Sequence, residues 1–480
     1  MLLPDNSEYK PVEHPNMAPT RTVNGHLSVK ERLGSYDEID QTYTEEEALE
    51  EASRCLYCPT HWCQKACPAG VPVADFIAKI REKDYEGAYG LIHTASSLPE
   101  MCSRLCPQEK QCQSNCTRSI CSESVAIGKL ERFVADWHQA HAAVEKMEKN
   151  GKKIAVIGAG PGGLAAAQRL NEKGYAVTVY DRESQAGGLL CYGIPNMKLK
   201  KSVLNQKIET MKEQGILFEN NIEVDAVLAK QLKATADAVV IAVGASETRK
   251  PVIEGADDAK GIYYAVDYLA SNTWSLIHSN MEDQTNISAE GKNVVIIGGG
   301  DTGNDCVGMA LRNGCQSVVQ IEMMPERVGK DHIWYPYPVH LPETKFDCSQ
   351  EEYMTAFCKD PHRYASTVTA VKTNADSEIT AVTVMKMEPK MSESGRVMMQ
   401  IIPGTEEELP CEMLIIAAGF TGPEKQIHEA FEVEFSKDSY QTTVENVFSC
   451  GDCRTGQSLV VKAMVDGQKC ADAVAEYVGK

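Results

Sequence analysis

Three observations predict an α/β protein in which a helical N-terminal domain precedes two interleaved, Rossmann-like nucleotide-binding domains. Residues 1–150 show apolar positions at helical spacing and no Val/Ile-rich strand run. A strand, a glycine loop, a helix and a second strand then follow around Gly158, and the same unit recurs at Gly298. Nine of the 18 cysteines fall between Cys55 and Cys121, directly ahead of the first glycine loop.

The N-terminal segment is rich in acidic helix formers such as EEEALEEASR (45–54). The segments 74–92 and 125–147 carry apolar residues at helical spacing. The polar stretch 148–153 reads as a linker. After it, KIAVIG (153–158) and VTVYD (177–181) flank a helix, and NVVIIG (293–298) and SVVQIE (317–322) flank the second one. Two further strands, AVVIAVGA (238–245) and MLIIAAGF (413–420), resemble each other. Expected boundaries are a helical domain at 1–150, a first nucleotide domain at 151–290, a second at 291–410, and a return to the first at 411–480.

The first loop holds Gly158, Ala159, Gly160, Pro161, Gly162 and Gly163. Its glycines permit a tight turn and let a pyrophosphate approach backbone N–H groups at a helix N-terminus. Asp181 ends the next strand, where a carboxylate accepts hydrogen bonds from a ribose. Gly188 and Leu189 follow, and near the C-terminus Gly451 and Asp452 stand between a strand and a helix-like stretch. That three-part pattern points to FAD. The second loop (Gly298, Gly299, Gly300, Asp301, Thr302, Gly303) precedes a strand that ends in Glu322. A carboxylate there suits the free 2′-hydroxyl of NADH and repels a 2′-phosphate. Arg327 and Lys330 lie close enough in sequence to keep NADPH open.

The cysteines read Cys55-x2-Cys58-x4-Cys63-x3-Cys67-Pro68 and Cys102-x3-Cys106-Pro107-x4-Cys112-x3-Cys116, with Cys121 trailing. Zinc sites are commonly two CxxC pairs, and only Cys55/Cys58 has that spacing in this stretch. The Cys-Pro steps match ferredoxin-type iron–sulfur runs, and the thiols suffice for two [4Fe–4S] clusters. Cys450 and Cys453 also form a CxxC, which reads either as a redox disulfide or as an incidental flank of Gly451-Asp452. Cys191, Cys306, Cys315, Cys348, Cys358, Cys411 and Cys470 read as small core residues, and His61 as a neighbour rather than a ligand.

A net charge of −20 argues against nucleic acid or an anionic membrane as partner. The N-terminus has no signal-peptide pattern, and no apolar run approaches the roughly 18 residues that span a bilayer. The expected compartment is the cytoplasm, where dense cysteines mean metal rather than disulfides.

In this order the motifs resemble the small (beta) subunit family of glutamate synthase, over nearly the whole chain. The carrying stretches are RCLYC, MCSRLCPQEKQCQSNC, GAGPGGLAAA, AGGLLCYGIPNMKL, GGGDTGNDCVGMALRNG and VFSCGDC. The flavin–iron–sulfur parts of pyrimidine dehydrogenases and of NADH/ferredoxin transhydrogenases are similar too. The resemblance implies a disulfide-reductase-like fold and ligands shared between the two cysteine runs. One cluster would take Cys55, Cys58, Cys63 and Cys116. The other would take Cys67, Cys106, Cys112 and Glu131, with Cys102 as the competing fourth ligand and Cys121 a weaker one. It also implies Lys198 on the flavin phosphates, and Gly419, Gln457, Ser458, Leu459 and Val460 along the cofactor. Met323 and Met324 stand where NADPH-using members carry an arginine pair.

The implied role is an NAD(P)H-oxidising electron-input subunit with FAD and two [4Fe–4S] clusters and no catalytic side-chain acid or base. Its partner would be a larger subunit that makes two glutamates from 2-oxoglutarate and glutamine. Other expectations are the same module serving a pyrimidine dehydrogenase or a transhydrogenase, or a redox sensor or metal-stabilised scaffold.

Overall fold

The computed structural model describes residues 12, 14–326, 347–391 and 397–479; Arg327 and Lys330 lie outside the described residues. Residues 14–150 are helical as expected. Helices Glu45–Ser53, Val73–Arg81, Tyr85–Ala95, Pro99–Leu105 and Ile127–His141 enclose a core that includes Phe76, Ile77, Ile80, Ile92 and Leu130. The run at 74–92 forms two helices. Lys83 takes a left-handed φ of 59°, and the Asp84 carboxylate then accepts from Gly87 N at 2.9 Å to start the second helix. The helix in the run at 125–147 ends at His141.

Two parallel sheets follow. In the first, Val447–Ser449, Ala238–Ile241, Lys153–Ile157, Ala176–Tyr180 and Leu217–Glu219 lie side by side in that order. Its edge strand comes from near the C-terminus, so the second domain is inserted into the first. The second sheet runs Ile262–Tyr264, Met413–Ile416, Asn293–Ile297, Ser317–Ile321 and His362–Arg363. Strands 262–264 and 413–416 therefore belong to the second domain, which starts before residue 291 and ends after residue 410. The expected boundaries are too narrow on both sides, because these short strands carry no glycine loop to mark them. An antiparallel unit built from Ser366–Thr373, Ile379–Met391, Val397–Ile401 and Glu407–Pro410 lies between the second domain's last two strands. The chain crosses between domains at Glu247–Thr248 and Phe420–Gly422, which pair antiparallel. Among the described residues no helix is long and apolar enough to cross a membrane.

Candidate functional site

Each glycine loop sits between the end of its first strand and the N-terminus of a twelve-residue helix, Pro161–Glu172 or Asp301–Arg312. Gly158 and Gly298 have φ of 100° and 125°, a region that favours glycine. A Cβ at Gly158 would stand 2.5 Å from Ala242 O, and one at Gly298 would stand 2.4 Å from Ala417 O. Those two alanines close the twin strands 238–241 and 413–416. The likeness of the two strands is visible in sequence, but the part their alanines play against the loops is not. In both loops the third glycine of the motif packs on the carbonyl of the first, so a side chain at Gly163 or Gly303 would collide with backbone.

The residues expected around FAD converge. Gly187 N donates to Ala159 O at 3.0 Å, and a Cβ at Gly188 would lie 2.9 Å from Gly160 Cα. Gly451 packs against Gly162, and its N–H donates to Asp466 at 2.7 Å. Asp181 accepts from Ala159 N at 2.6 Å and from Glu183 N at 2.8 Å. Burial raises the Asp181 pKa, while those two backbone N–H groups pull it back down. Among the described residues, chain neighbours aside, no atom lies within 4 Å of the place a Cβ on Gly160 would take, which leaves room for a phosphate beside the backbone. The site fits a dinucleotide.

A cavity of about 2000 Å³ joins the two domains to the cysteines. Gly298–Thr302 and Glu322 line one part, Leu189, Gly419, Asp452 and Gln457–Val460 another, and Cys106 a third. The glycines of the first loop are not among its lining residues. Glu322 Oε1 accepts from Met324 N at 2.7 Å, and its Oε2 occupies the place a Cβ on Gly299 would need. The Gln457 side chain accepts from Phe420 N at 2.7 Å and Ser458 donates to Asp452 at 2.8 Å, so the flavin-side segment is tied to the interdomain crossing.

Cys55, Cys58, Cys63 and Cys116 line a second, small cavity together with Trp62, Ile77, Val125 and Ile127. Burial pushes the Cys55 and Cys63 thiols up to about 11 and about 12, and the charges of neighbouring thiols add to it. Such thiols stay protonated until a cation replaces the protons. Burial raises the pKa of the Cys67 and Cys112 thiols, a hydrogen bond with Cys102 and then burial raise that of Cys106, and the charge of Glu131 adds to all three. Burial, and then the charge of Glu100, pushes Glu131 itself up to about 8. Among the described residues no three His, Cys, Asp or Glu side chains converge closely enough for one ion. Cys55, Cys58, Cys63 and Cys116 surround a small space, an arrangement that fits a cluster. Cys102 is buried, with its thiol 3.8 Å from Met464 Sδ and hydrogen-bonded to Cys106. Cys121 is exposed.

Residues 32–143 match the family model described as dihydropyrimidine dehydrogenase domain II, 4Fe-4S cluster. Residues 152–333 match pyridine nucleotide-disulphide oxidoreductase. The chain is 34% identical over 470 residues to the glutamate synthase [NADPH] small chain of Bacillus subtilis (strain 168), covering 93% of this chain and 94% of that one. The chain belongs to the glutamate synthase small-chain family. It is also 34% identical over 466 residues to the glutamate synthase [NADH] of Schizosaccharomyces pombe, covering 94% of this chain but 22% of that longer protein. In fold it is similar to Mycobacterium tuberculosis FprA in complex with NADPH, with TM-score 0.53, 20% identity, and coverage of 68% of this chain and 85% of that one. The family is one of flavin-dependent pyridine nucleotide oxidoreductases with an iron–sulfur domain, and this chain is an electron-transfer subunit of that kind.

Lys198, expected on the flavin phosphates, places its Nζ at 2.5 Å from Asp305 Oδ1 and 2.8 Å from Asp347 Oδ2, both in the second domain. Burial opposes the charge on Lys198, but the two carboxylates outweigh it and raise its pKa. Asp347 lies 149 residues away, so no local pattern announces the pairing. The CxxC at Cys450 and Cys453 is a buried pair of free thiols, and Cys453 donates to Cys450 O at 3.1 Å. Cys191, Cys306, Cys315, Cys411 and Cys470 are buried as expected, whereas Cys348 is half-buried and Cys358 exposed. Cys358 caps its helix in a left-handed conformation, which turns it out of the core. His61 pairs with Gln64 and packs edge-on against Tyr57.

Proposed function

We propose that this chain is the electron-input subunit of a glutamate synthase. It takes a hydride from NADH at Gly298–Gly303 and hands electrons to a larger subunit that converts 2-oxoglutarate and glutamine to two glutamates. Gly158–Gly163, Asp181, Gly188 and Gly451–Val460 would hold FAD. Cys55, Cys58, Cys63 and Cys116 would hold one [4Fe–4S] cluster, and Cys67, Cys106, Cys112 and Glu131 the other. When bound, FAD supplies the change from two-electron to one-electron transfer and the clusters supply conduction.

The observation that carries this reading is the single cavity reaching from Glu322 and the second glycine loop, past Gln457–Val460, to Cys106. The proposed nucleotide site and one cysteine of the array, Cys106, border the same open cleft, which suits electron transfer between them. The printed names of the relatives carry both NADPH and NADH, so kinship does not choose between them. Glu322 supports NADH, since a carboxylate at the end of this strand suits a free ribose 2′-hydroxyl and repels a phosphate there. The relation to a longer glutamate synthase, of which this module matches one part, supports the larger partner.

The match of residues 32–143 to a dihydropyrimidine dehydrogenase domain gives a second reading, the same module serving a pyrimidine dehydrogenase. Anaerobic stopped-flow mixing of the iron- and flavin-loaded chain with NADH or NADPH tests the nucleotide. NADH is expected to bleach the flavin faster; faster bleaching by NADPH would overturn the argument from Glu322. Copurification from the native host with a glutamate synthase large subunit tests the partner, and capture of a pyrimidine-reducing subunit would favour the second reading.

A further inference from the structure

The two nucleotide units share one backbone plan. Gly158 N donates to Tyr180 O at 2.7 Å, and Gly298 N donates to Ile321 O at 2.9 Å. Asp181 accepts from the backbone two residues on at 2.8 Å, and Glu322 does the same at 2.7 Å. By this alignment Leu164 and Val179 lie beneath the first loop, and Asn304 and Gln320 take their places beneath the second. Leu164 and Val179 are an ordinary buried apolar pair.

Asn304 and Gln320 are equally buried and are joined by Gln350. Gln320 Nε2 donates to Gly298 O at 3.0 Å and to Asn304 Oδ1 at 2.9 Å. Gln350 Nε2 donates to Asn304 Oδ1 at 2.7 Å and to Gln320 Oε1 at 3.0 Å. Gln350 Oε1 accepts from Asp347 N at 3.1 Å, and the Asp347 carboxylate holds Lys198 from the first domain. Three fully buried amides thus connect the second loop to the domain interface. Among the described residues Asn304 Nδ2 meets no acceptor, a cost that the apolar pair of the first unit avoids. A network that burdens stability and contacts the loop itself points to a role at the loop.

We infer that Gln320, Asn304 and Gln350 are positioning residues for the reducing nucleotide. They fix the Gly298 carbonyl against the strand that ends in Glu322, and so set where the Glu322 carboxylate lies against Gly299, at the edge that would meet the ribose. The inference rests on the reading that the second loop takes the reducing nucleotide. Gln320 stands two residues before Glu322, so it faces the same side of the strand and controls where that carboxylate ends. The first unit, assigned to a cofactor that stays bound, manages with apolar packing. The second must receive and release a nucleotide at every turnover while rejecting the 2′-phosphorylated form.

The test is calorimetric binding of ADP-ribose and of 2′-phospho-ADP-ribose to the iron- and flavin-loaded chain. One variant rebuilds the first unit's core (Asn304→Leu, Gln320→Val, Gln350→Leu), and a milder one is Gln320→Met. ADP-ribose affinity is expected to fall about tenfold, and its preference over 2′-phospho-ADP-ribose to shrink, while melting temperature and flavin content stay near wild type. Wild-type affinity and preference in a folded variant would overturn the inference, as would a drop in melting temperature with binding unchanged. Should the triple variant not fold, Gln320→Met decides by the same readings. Failure of the wild-type chain to bind either probe would instead sink the reading of the second loop, and with it the basis of this inference.

Discussion

Four thiols line one small cavity in the helical domain, whereas the second proposed ligand set joins three thiols to the half-buried Glu131. Cys112 belongs to the helical-domain core and Cys63 packs against it, so the two sets share one domain. Their outer surroundings differ. The first group is walled by Val73, Ile77, Val125 and Ile127, and Trp62 at its edge is 40% exposed. The second reaches the nucleotide cavity through Cys106. A carboxylate is a harder ligand than a thiolate, and ligand identity and local charge set the potential of a cluster. On the proposed ligand sets the groups would hold different stations, the carboxylate-containing one beside the proposed electron source and the all-thiol one near the surface where a partner would collect.

The largest expected effect comes from removing a thiol of the outer group. Cys63→Ala should cost the chain half its iron and acid-labile sulfide. NADH should still bleach the flavin, because the glycine loops and Gln457–Val460 are untouched, but glutamate synthesis with the large subunit should stop. Full iron content in this variant would break the division of cysteines into two groups. Loss of flavin reduction would break the order of stations.

A smaller effect, confined to the iron-free chain, follows from Glu131. Its ordinary pKa of 4.5 rises to about 8 in the fold, first through burial and then through the charge of Glu100. Between those values the folded chain keeps a proton that the unfolded chain releases. Stability must therefore fall as pH rises through that window, and level off above it. Urea midpoints measured at about pH 5 and about pH 8 should show the decline, and Glu131→Gln should abolish it. With iron bound the decline should vanish from the native chain, since ligation requires the ionised carboxylate. An equal decline in the glutamine variant would assign the slope to other groups and leave Glu131 an ordinary buried acid.

How much of the fold and of the site is legible in sequence depends on how local the determinant is. Glycine loops, the acids Asp181 and Glu322, and the apolar strands around them are short-range patterns, and all stand where sequence places them. The break at Lys83 is hidden because apolar spacing continues through it, and only backbone conformation shows the turn. The strand Ile262–Tyr264 is three residues long and gains its partner about 150 residues later, so no local signal could place it in the second sheet. Lys198 and Gln320 escape sequence reading for the same reason. Each is defined by partners from other elements, Asp347 for one and Gln350 for the other. Glu131 becomes readable only through family resemblance, since a glutamate in a helix carries no ligand spacing of its own.

Cys102 gives the smallest effect and the sharpest check on Glu131. It is the competing fourth ligand of the inner group, yet its thiol is buried against Met464 of the C-terminal helix and bonded to Cys106. If Glu131 completes the group, Cys102 is a packing residue between the helical domain and the first nucleotide domain. Cys102→Ala then removes one sulfur from a close-packed contact and should cost about 1 kcal/mol in unfolding free energy. Iron content, flavin content and the rate of NADH oxidation should not change. Should the variant lose half its iron, Cys102 and not Glu131 would be the ligand. Both groups would then be all-thiol, and the difference between them would reduce to their distance from the nucleotide cavity.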